Sequence, residues 1–188
     1  MGFKALPSDA IAMLGASYRR QEAQLDACER AIDSLSAGHR SQKDLDTVIE
    51  FLAFMRKQAA RHLADEEVSV LPRLSAHEQF RELIHDILSD HRKHEIALRE
   101  LEAMAESWAG QPPGKRSARS FATRLAAFKD DYQRHIDRKD DELIPAIRRY
   151  LSTAELSAIA AEMLIRRGDG GGRRWGRGPR RTKKRRRS

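Results

Sequence analysis

Four histidines and one glutamate stand at spacings that suit a metal site. His62 and Glu66 are four residues apart, so on an α-helix they lie on one face about one turn apart. His91 and His94 also share a helix face, and His135 follows further along the chain. Imidazole nitrogens and carboxylate oxygens are ligands that iron, manganese and zinc accept. A fold that gathers these side chains would form a metal-binding site.

The two halves of the chain align without a gap at an offset of 73 residues, which places His62 on His135. A duplicated helical hairpin with one histidine at the same depth in each half can build a symmetric pocket where the halves meet. The spacing agrees with this arrangement, because 44 residues separate Tyr18 from His62 and also His91 from His135. The repeat therefore makes a metal site the leading hypothesis.

The hydrophobic pattern predicts four long helices and one short helix. Apolar residues recur at alternating spacings of three and four, which is typical of a bundle seam, and the connections are short. We therefore predict an all-α fold, an up-down-up-down antiparallel four-helix bundle built from two duplicated helical hairpins. The predicted helices begin near Ser8, Ser41, Ser75, Ser117 and Ser152.

Three regions are expected along the 188-residue chain. Residues 8–150 form the bundle, residues 151–167 form a short C-terminal helix, and residues 168–188 form a tail rich in arginine, lysine and glycine. The tail cannot bury enough apolar surface to fold alone, so we expect it to be disordered. The net charge of +8 divides unevenly, because residues 166–188 carry +11 and the remainder carries −3.

Polar side chains interrupt the apolar stripes at one level of the predicted bundle. They are Tyr18 and Gln21 on the first helix, His62 and Glu66 on the second, His91 and His94 on the third, and His135 and Lys139 on the fourth. Burying a polar group without a partner costs roughly 2–7 kcal/mol. Such a layer must therefore satisfy its own hydrogen bonds or bind something.

The composition also bears on location. The single cysteine, Cys28, excludes an intramolecular disulfide and fits a reducing compartment. No apolar run approaches the roughly 20 residues that a membrane span needs. The N-terminus lacks the apolar stretch of a signal peptide. We expect a soluble, cytoplasmic protein without a membrane partner.

The basic tail supports an alternative function, which is nonspecific nucleic-acid binding by an interaction module. Its charge density suits phosphate contacts through counterion release, and its tryptophan can stack on a base. Under this alternative the bundle is metal-poor or mononuclear. A solvated tail without a function is the other interpretation. The candidate tail residues are Arg173, Arg174, Trp175, Arg185, Arg186 and Arg187.

Three motifs resemble those of the hemerythrin-like family, also called HHE cation-binding domains, over roughly residues 8–150. The motifs are His62-Leu-Ala-Asp-Glu66-Glu67, Asp90-His91-Arg92, and His135 followed by Ile-Pro145. The resemblance implies a four-helix bundle with a non-haem iron site of two ions or one, which binds or senses dioxygen, nitric oxide or peroxide. It also implies that His62, Glu66, His91 and His135 are ligands. Because no nucleophile–base–acid set or glycine-rich phosphate loop is present, we expect a binding or sensing protein more than a conventional enzyme.

One departure from the family pattern lies on the first helix, where this chain has Tyr18 in place of a histidine. Two interpretations are open: Tyr18 is a phenolate ligand, or it is a neutral side chain that hydrogen-bonds a bridging oxygen or water. His39 is a candidate to compensate for the missing histidine. His94 is a further candidate, either as a ligand or as a hydrogen-bond partner of one.

A second departure is Lys139, which stands where many family members have a glutamate. Asp140 is a candidate ligand in its place if a local distortion of the helix turns it inward. Glu142 is back on the same face but two turns from the histidine. If Lys139 faces inward, it is expected to pair with Glu66 and to stand in for one cation, which would leave a mononuclear or empty site.

Overall fold

The computed structural model describes residues 10–168, and the side chains of all of these except Ala59. This part of the chain forms helices and no strand, so the all-α prediction is confirmed. None of its helices combines the length and apolar character needed to cross a membrane. Five helices are labelled here in chain order. They are α1 (Ala10–Ala37), α2 (Gln42–Ala64), α3 (Arg81–Glu106), α4 (Lys115–Arg138) and α5 (Thr153–Gly168).

Both α2 and α4 continue past these limits through a π-helical segment. The first segment is Asp65–Val70 and the second is Lys139–Leu143, and short α-helical pieces follow at Leu71–Leu74 and Ile144–Tyr150. At the repeat offset, positions 66–70 align with positions 139–143, so the distortion itself is duplicated. Each following piece has a proline at its second residue, which has no N–H to donate to the preceding turn.

The first helix ends at a glycine. Gly38 has a φ of 102°, a left-handed conformation that favours glycine. Its N–H donates to the carbonyl of Leu35 at 3.0 Å, and the N–H of His39 donates to that of Ser34 at 3.2 Å. These two bonds form a Schellman motif. A Cβ on Gly38 would lie 2.0 Å from Cε of Lys115, so the turn also packs closely on the start of α4.

Two predicted helix starts are confirmed. The Ser41 side chain caps α2 by accepting a hydrogen bond from the N–H of Asp44 at 3.1 Å. Ser152 and Glu155 form a reciprocal capping box at α5, in which the serine N–H donates to the glutamate carboxylate at 2.8 Å. The glutamate N–H donates back to the serine hydroxyl at 3.3 Å. Both caps supply acceptors for backbone groups that a helix leaves without partners.

Two other predicted starts are displaced. Ser75 ends the preceding helical piece in an αR conformation, with its hydroxyl donating to the carbonyl of Pro72 at 2.7 Å, so it lacks the extended backbone of an N-cap. A 3₁₀ turn at Glu78–Phe80 then precedes α3, which begins at Arg81. The start of α4 is two residues earlier than Ser117, whose hydroxyl accepts a hydrogen bond from the Trp108 ring nitrogen at 2.8 Å.

The four long helices pack side by side, with α1 against α2 and α4, and α3 against α2 and α4. Contacts between α1 and α4 follow opposite residue order: Gln21 contacts Tyr132, whereas Gly38 lies beside Lys115. Contacts between α3 and α4 do the same. The apolar stripe of every long helix faces the shared core. Its largest fully buried apolar side chains are Phe51, Phe121, Leu14, Ile32, Leu35, Leu45, Met55, Leu74, Ile87, Leu101 and Leu125.

The fifth helix packs on α1 and on the π segment of α2. Buried Asp65 in that segment pairs with Arg166 at 2.7 Å and with Arg167 at 2.8 Å. Arg73, just beyond the segment, pairs with Glu162 at 2.7 Å. The short helix therefore braces the part of α2 that carries the candidate site.

Candidate metal centre

The structure brings seven of the ten bundle residues proposed from the sequence into one buried group. All seven are less than one-tenth exposed, and they come from all four long helices or the π segments that extend them. They are Tyr18, His62, Glu66, His91, His94, His135 and Lys139.

The other three bundle residues lie outside this group. Asp140 and Glu142 are exposed. Both belong to the π segment, which is the kind of local distortion that was expected to turn Asp140 inward. The π segment buries Lys139 and Leu143 instead. His39 is exposed in the α1–α2 turn, where its ring contacts the Ser34 hydroxyl at 3.2 Å. The candidate nucleic-acid residues of the tail lie outside the described residues.

Glu66 is at the centre of the group and is fully buried. Its Oε1 accepts a hydrogen bond from the Tyr18 hydroxyl at 2.7 Å and lies 2.9 Å from Nε2 of His62. Its Oε2 lies 2.7 Å from Nζ of Lys139 and 3.1 Å from Nε2 of His91. Four helices thus converge on one carboxylate.

Three side chains in this group have the arrangement of a metal site. Glu66, His91 and His135 each offer one ligand atom, and these atoms lie within 4.8 Å of one another. All three side chains are buried. A metal ion held by three protein ligands keeps positions open for a small ligand. The three side chains therefore fit one ion.

Unpartnered polar atoms support the same interpretation. Glu66 Oε2 and His91 Nε2 are buried and take no well-directed hydrogen bond, although they are 3.1 Å apart and Glu66 Oε2 also forms the ion pair with Lys139 at 2.7 Å. The other ring nitrogen of His91, Nδ1, lies 2.8 Å from the Glu67 carboxylate, so we assign the ring proton to it. Two lone pairs then face each other, and a cation between them would relieve the repulsion.

Carboxylates outside the group hold the histidines in place. Besides the contact between Glu67 and His91, Asp90 lies 3.4 Å from Nδ1 of His135. Asp90 is itself held by Arg138 at 2.6 Å and by Lys93 at 3.1 Å. Such partners fix the orientation of metal-binding imidazoles. The sequence motifs contained Glu67 and Asp90, but their contacts with the histidines become visible only in the fold.

Burial controls the protonation of these side chains. It lowers the pKa of His62 and of His135, and it lowers the pKa of His94 to about 4, so the rings are neutral and keep a lone pair for binding. Burial alone would raise the pKa of Glu66, but its interactions with His62 and Lys139 outweigh the burial and hold that pKa well below its usual value. Glu66 is therefore a carboxylate.

Tyr18 is a hydrogen-bond donor in this structure. Burial, and then the charge of Glu66, raise the pKa of its phenol well above the ordinary value of 10.0. The hydroxyl keeps its proton and donates it to Glu66 Oε1 at 2.7 Å. This geometry supports the neutral interpretation of Tyr18 over the phenolate interpretation.

A cavity of about 270 Å³ connects the group with the surface between α2 and α3. His62, His91, His94 and His135 contribute to its inner wall. Arg56, Glu95 and Arg99 are exposed and mark its outer end. Apolar side chains line the space between, namely Met55, Leu63, Leu98 and Phe128. A small molecule has a route of mainly apolar character to the candidate centre.

Comparison with known proteins agrees with the fold and the buried group. A family model described as the hemerythrin HHE cation binding domain matches residues 10–147. The chain belongs to this family. No curated protein and no solved structure matches the chain.

Proposed function

We propose that this protein binds iron in the bundle and uses it to bind or sense dioxygen, nitric oxide or peroxide. The proposal rests on one observation above all, which is the convergence of Glu66 with His91 and His135, two histidines that line a cavity. The family match points to a cation in the same domain. The predicted up-down-up-down order of the long helices belongs to the proposal, and the opposite order of contacts along α1 and α4 supports it.

Each side chain has a distinct part in this proposal. Glu66, His91 and His135 would hold the ion through one oxygen and two nitrogens, a donor set that iron accepts. Tyr18 and His62 fix Glu66 Oε1, which keeps the carboxylate from rotating. A bound ferrous ion would supply open coordination positions and an available electron to a small ligand.

The cavity determines which molecules can arrive. Its apolar middle section admits small uncharged molecules and disfavours hydrated ions, because a charge loses its hydration there. His94 packs its ring against the rings of His135, Tyr132 and Phe128, with centroids 5.0, 5.4 and 5.7 Å away. This packing fixes the wall next to the candidate centre. The route therefore suits dioxygen, nitric oxide or hydrogen peroxide.

The test is optical titration of protein loaded with ferrous iron under anaerobic conditions. We expect the wild type to bind iron and to change its near-ultraviolet and visible spectrum when nitric oxide or dioxygen is added. His91→Ala should lose both properties. His85→Ala is the matched control, because His85 is exposed on the same helix. A wild type that binds no iron, or an H91A protein that responds like the wild type, would overturn the proposal.

A further inference from the structure

We infer that the Lys139 ammonium takes the place of a second metal ion, so that the centre holds one ion per chain. This inference rests on the proposed function, since it concerns the same centre. It goes further because it names the group that balances the charge of Glu66 besides the candidate ion.

The position of the Lys139 ammonium is the first argument for the inference. Nζ of Lys139 is 2.7 Å from Glu66 Oε2 and 3.5 Å from Nε2 of His62. These two atoms, a carboxylate oxygen and an imidazole nitrogen, are the kind that a second ion would need. In sites with two metals, the ions are about 3.5–4 Å apart and share such a carboxylate. The ammonium therefore occupies contacts that a second ion would need.

The contacts of Lys139 hold its side chain in the centre. The side chain is 1% exposed. Its ammonium lies over the Tyr18 ring, 5.1 Å from the centroid, in a cation–π contact. Removing the ammonium to admit an ion would break this contact and the ion pair with Glu66. The lysine is thus built into the centre and is not a surface side chain that happens to lie nearby.

The sequence repeat gives an independent argument for one ion. At the offset of 73 residues, Lys139 is the counterpart of Glu66, and His135 is the counterpart of His62. A symmetric centre with two ions would have a carboxylate at both positions. The neighbouring carboxylates of the second half, Asp140 and Glu142, are exposed and do not replace it. The centre therefore has one central carboxylate, which suits one ion and one ammonium.

Charge balance gives the inference a consequence for the metal-free protein. A buried carboxylate without a partner is strongly destabilising, whereas Glu66 already has the ammonium beside it. The bundle should therefore stay folded without metal. If Lys139 loses its charge, the metal-free protein should lose stability, and a bound ion should restore part of the loss.

The experiment measures metal content and thermal unfolding for the wild type and three variants. Lys139→Met removes the charge with little change in shape. Lys139→Glu places a second glutamate at the position equivalent to Glu66. Lys129→Met is the control, because Lys129 is also on α4 and pairs with Asp26 and Glu29 away from the centre. Each protein is saturated with ferrous iron anaerobically, freed of excess iron, and analysed for iron per chain.

We expect one ion per chain in the wild type and in K129M, and two in K139E. Metal-free K139M should unfold at a clearly lower temperature than the metal-free wild type, and iron should raise its midpoint more than it raises that of K129M. If K139E does not fold, the K139M comparison still decides the matter.

Three outcomes would overturn the inference. Two ions per chain in the wild type would refute it and leave the proposed function intact. No iron in the wild type would refute the proposed function itself, and the inference with it. One ion in the wild type, together with a K139M protein whose metal-free stability is unchanged, would show that Lys139 does not act as the second cation.

Discussion

Glu66 and Lys139 occupy equivalent positions in the two halves of the bundle, yet they carry opposite charges. Each stands four residues after a buried histidine, within a π-helical segment, and each is buried. In the fold they meet at 2.7 Å. The duplicated scaffold has therefore kept its geometry in both halves, while the chemistry at its centre has become asymmetric.

The two π segments also differ in what surrounds them. The first is covered by α5, through the pairs of Asp65 with Arg166 and Arg167. The second exposes its acidic residues to solvent. The half that contributes the carboxylate is thus the half that is braced. We infer that α5 helps to hold Glu66 against the four groups that contact it.

The largest expected effect comes from removing the charge of Glu66. Glu66→Gln leaves the Lys139 ammonium buried without its counter-charge, which should cost about 3–5 kcal/mol of unfolding free energy in the metal-free protein. Iron binding should be lost as well. Urea unfolding and iron analysis measure the two effects. Glu142→Gln is the control, because Glu142 is exposed in the other π segment; similar losses in both variants would contradict the account.

Exchanging the two equivalent histidines for alanine tests the asymmetry in binding. His135 belongs to the group of three candidate ligands, whereas His62 contacts Glu66 Oε1 from the other side. His135→Ala should therefore abolish stoichiometric iron binding. His62→Ala should weaken it by about 10–100-fold, as expected for a residue that orients a ligand.

Iron titration by isothermal calorimetry measures both affinities. His77→Ala is the control, because the His77 ring contacts Phe80 and Tyr150 rather than the centre. Equal losses in the two variants would indicate a symmetric centre in which His62 is also a ligand.

The brace from α5 is expected to have a smaller effect. Asp65→Asn removes the charge of a buried carboxylate that pairs with two partly exposed arginines. We expect the free energy of unfolding to fall by about 2 kcal/mol. Hydrogen exchange should increase in α5 and in the first π segment. Asp141→Asn, in the exposed second segment, should change the stability by less than about 0.5 kcal/mol. Unchanged exchange in α5 of D65N would show that other contacts hold the helix.

The smallest effect is expected at Tyr18. Tyr18→Phe removes one hydrogen bond to a charged group, which is worth about 1.5 kcal/mol. Because the phenol keeps its proton, oxidised iron-loaded wild type should lack the broad visible band of a phenolate bound to ferric iron. Its visible spectrum should match that of Y18F. A band that is present in the wild type and absent in Y18F would make Tyr18 a ligand.

The sequence was sufficient to predict the inward side of each long helix and the buried polar level. The buried residues Phe121, Leu125, Phe128, Tyr132 and His135 of α4 follow the predicted spacing of three and four, because this spacing holds as long as the helix is regular. The spacing of 44 residues between Tyr18 and His62 also placed these rings together, with centroids 4.9 Å apart.

Other features depend on interactions that the local sequence does not encode. Ser75 has the pattern of a helix cap, but its αR backbone ends the preceding helical piece and does not begin the next one. The sequence makes Asp140 a candidate ligand only if the helix is distorted there. The π segment is such a distortion, yet it buries Lys139 and leaves Asp140 exposed to solvent. The contact between Asp65 and Arg166 spans 101 residues and follows only from the packing of α5.

An anomalous difference map from crystals of the iron-loaded protein, collected at the iron absorption edge, tests the central claim most directly. The account predicts a single peak, within bonding distance of Glu66, His91 and His135, with the Lys139 ammonium still paired with Glu66. Two peaks flanking Glu66, or a peak away from these three side chains, would contradict it.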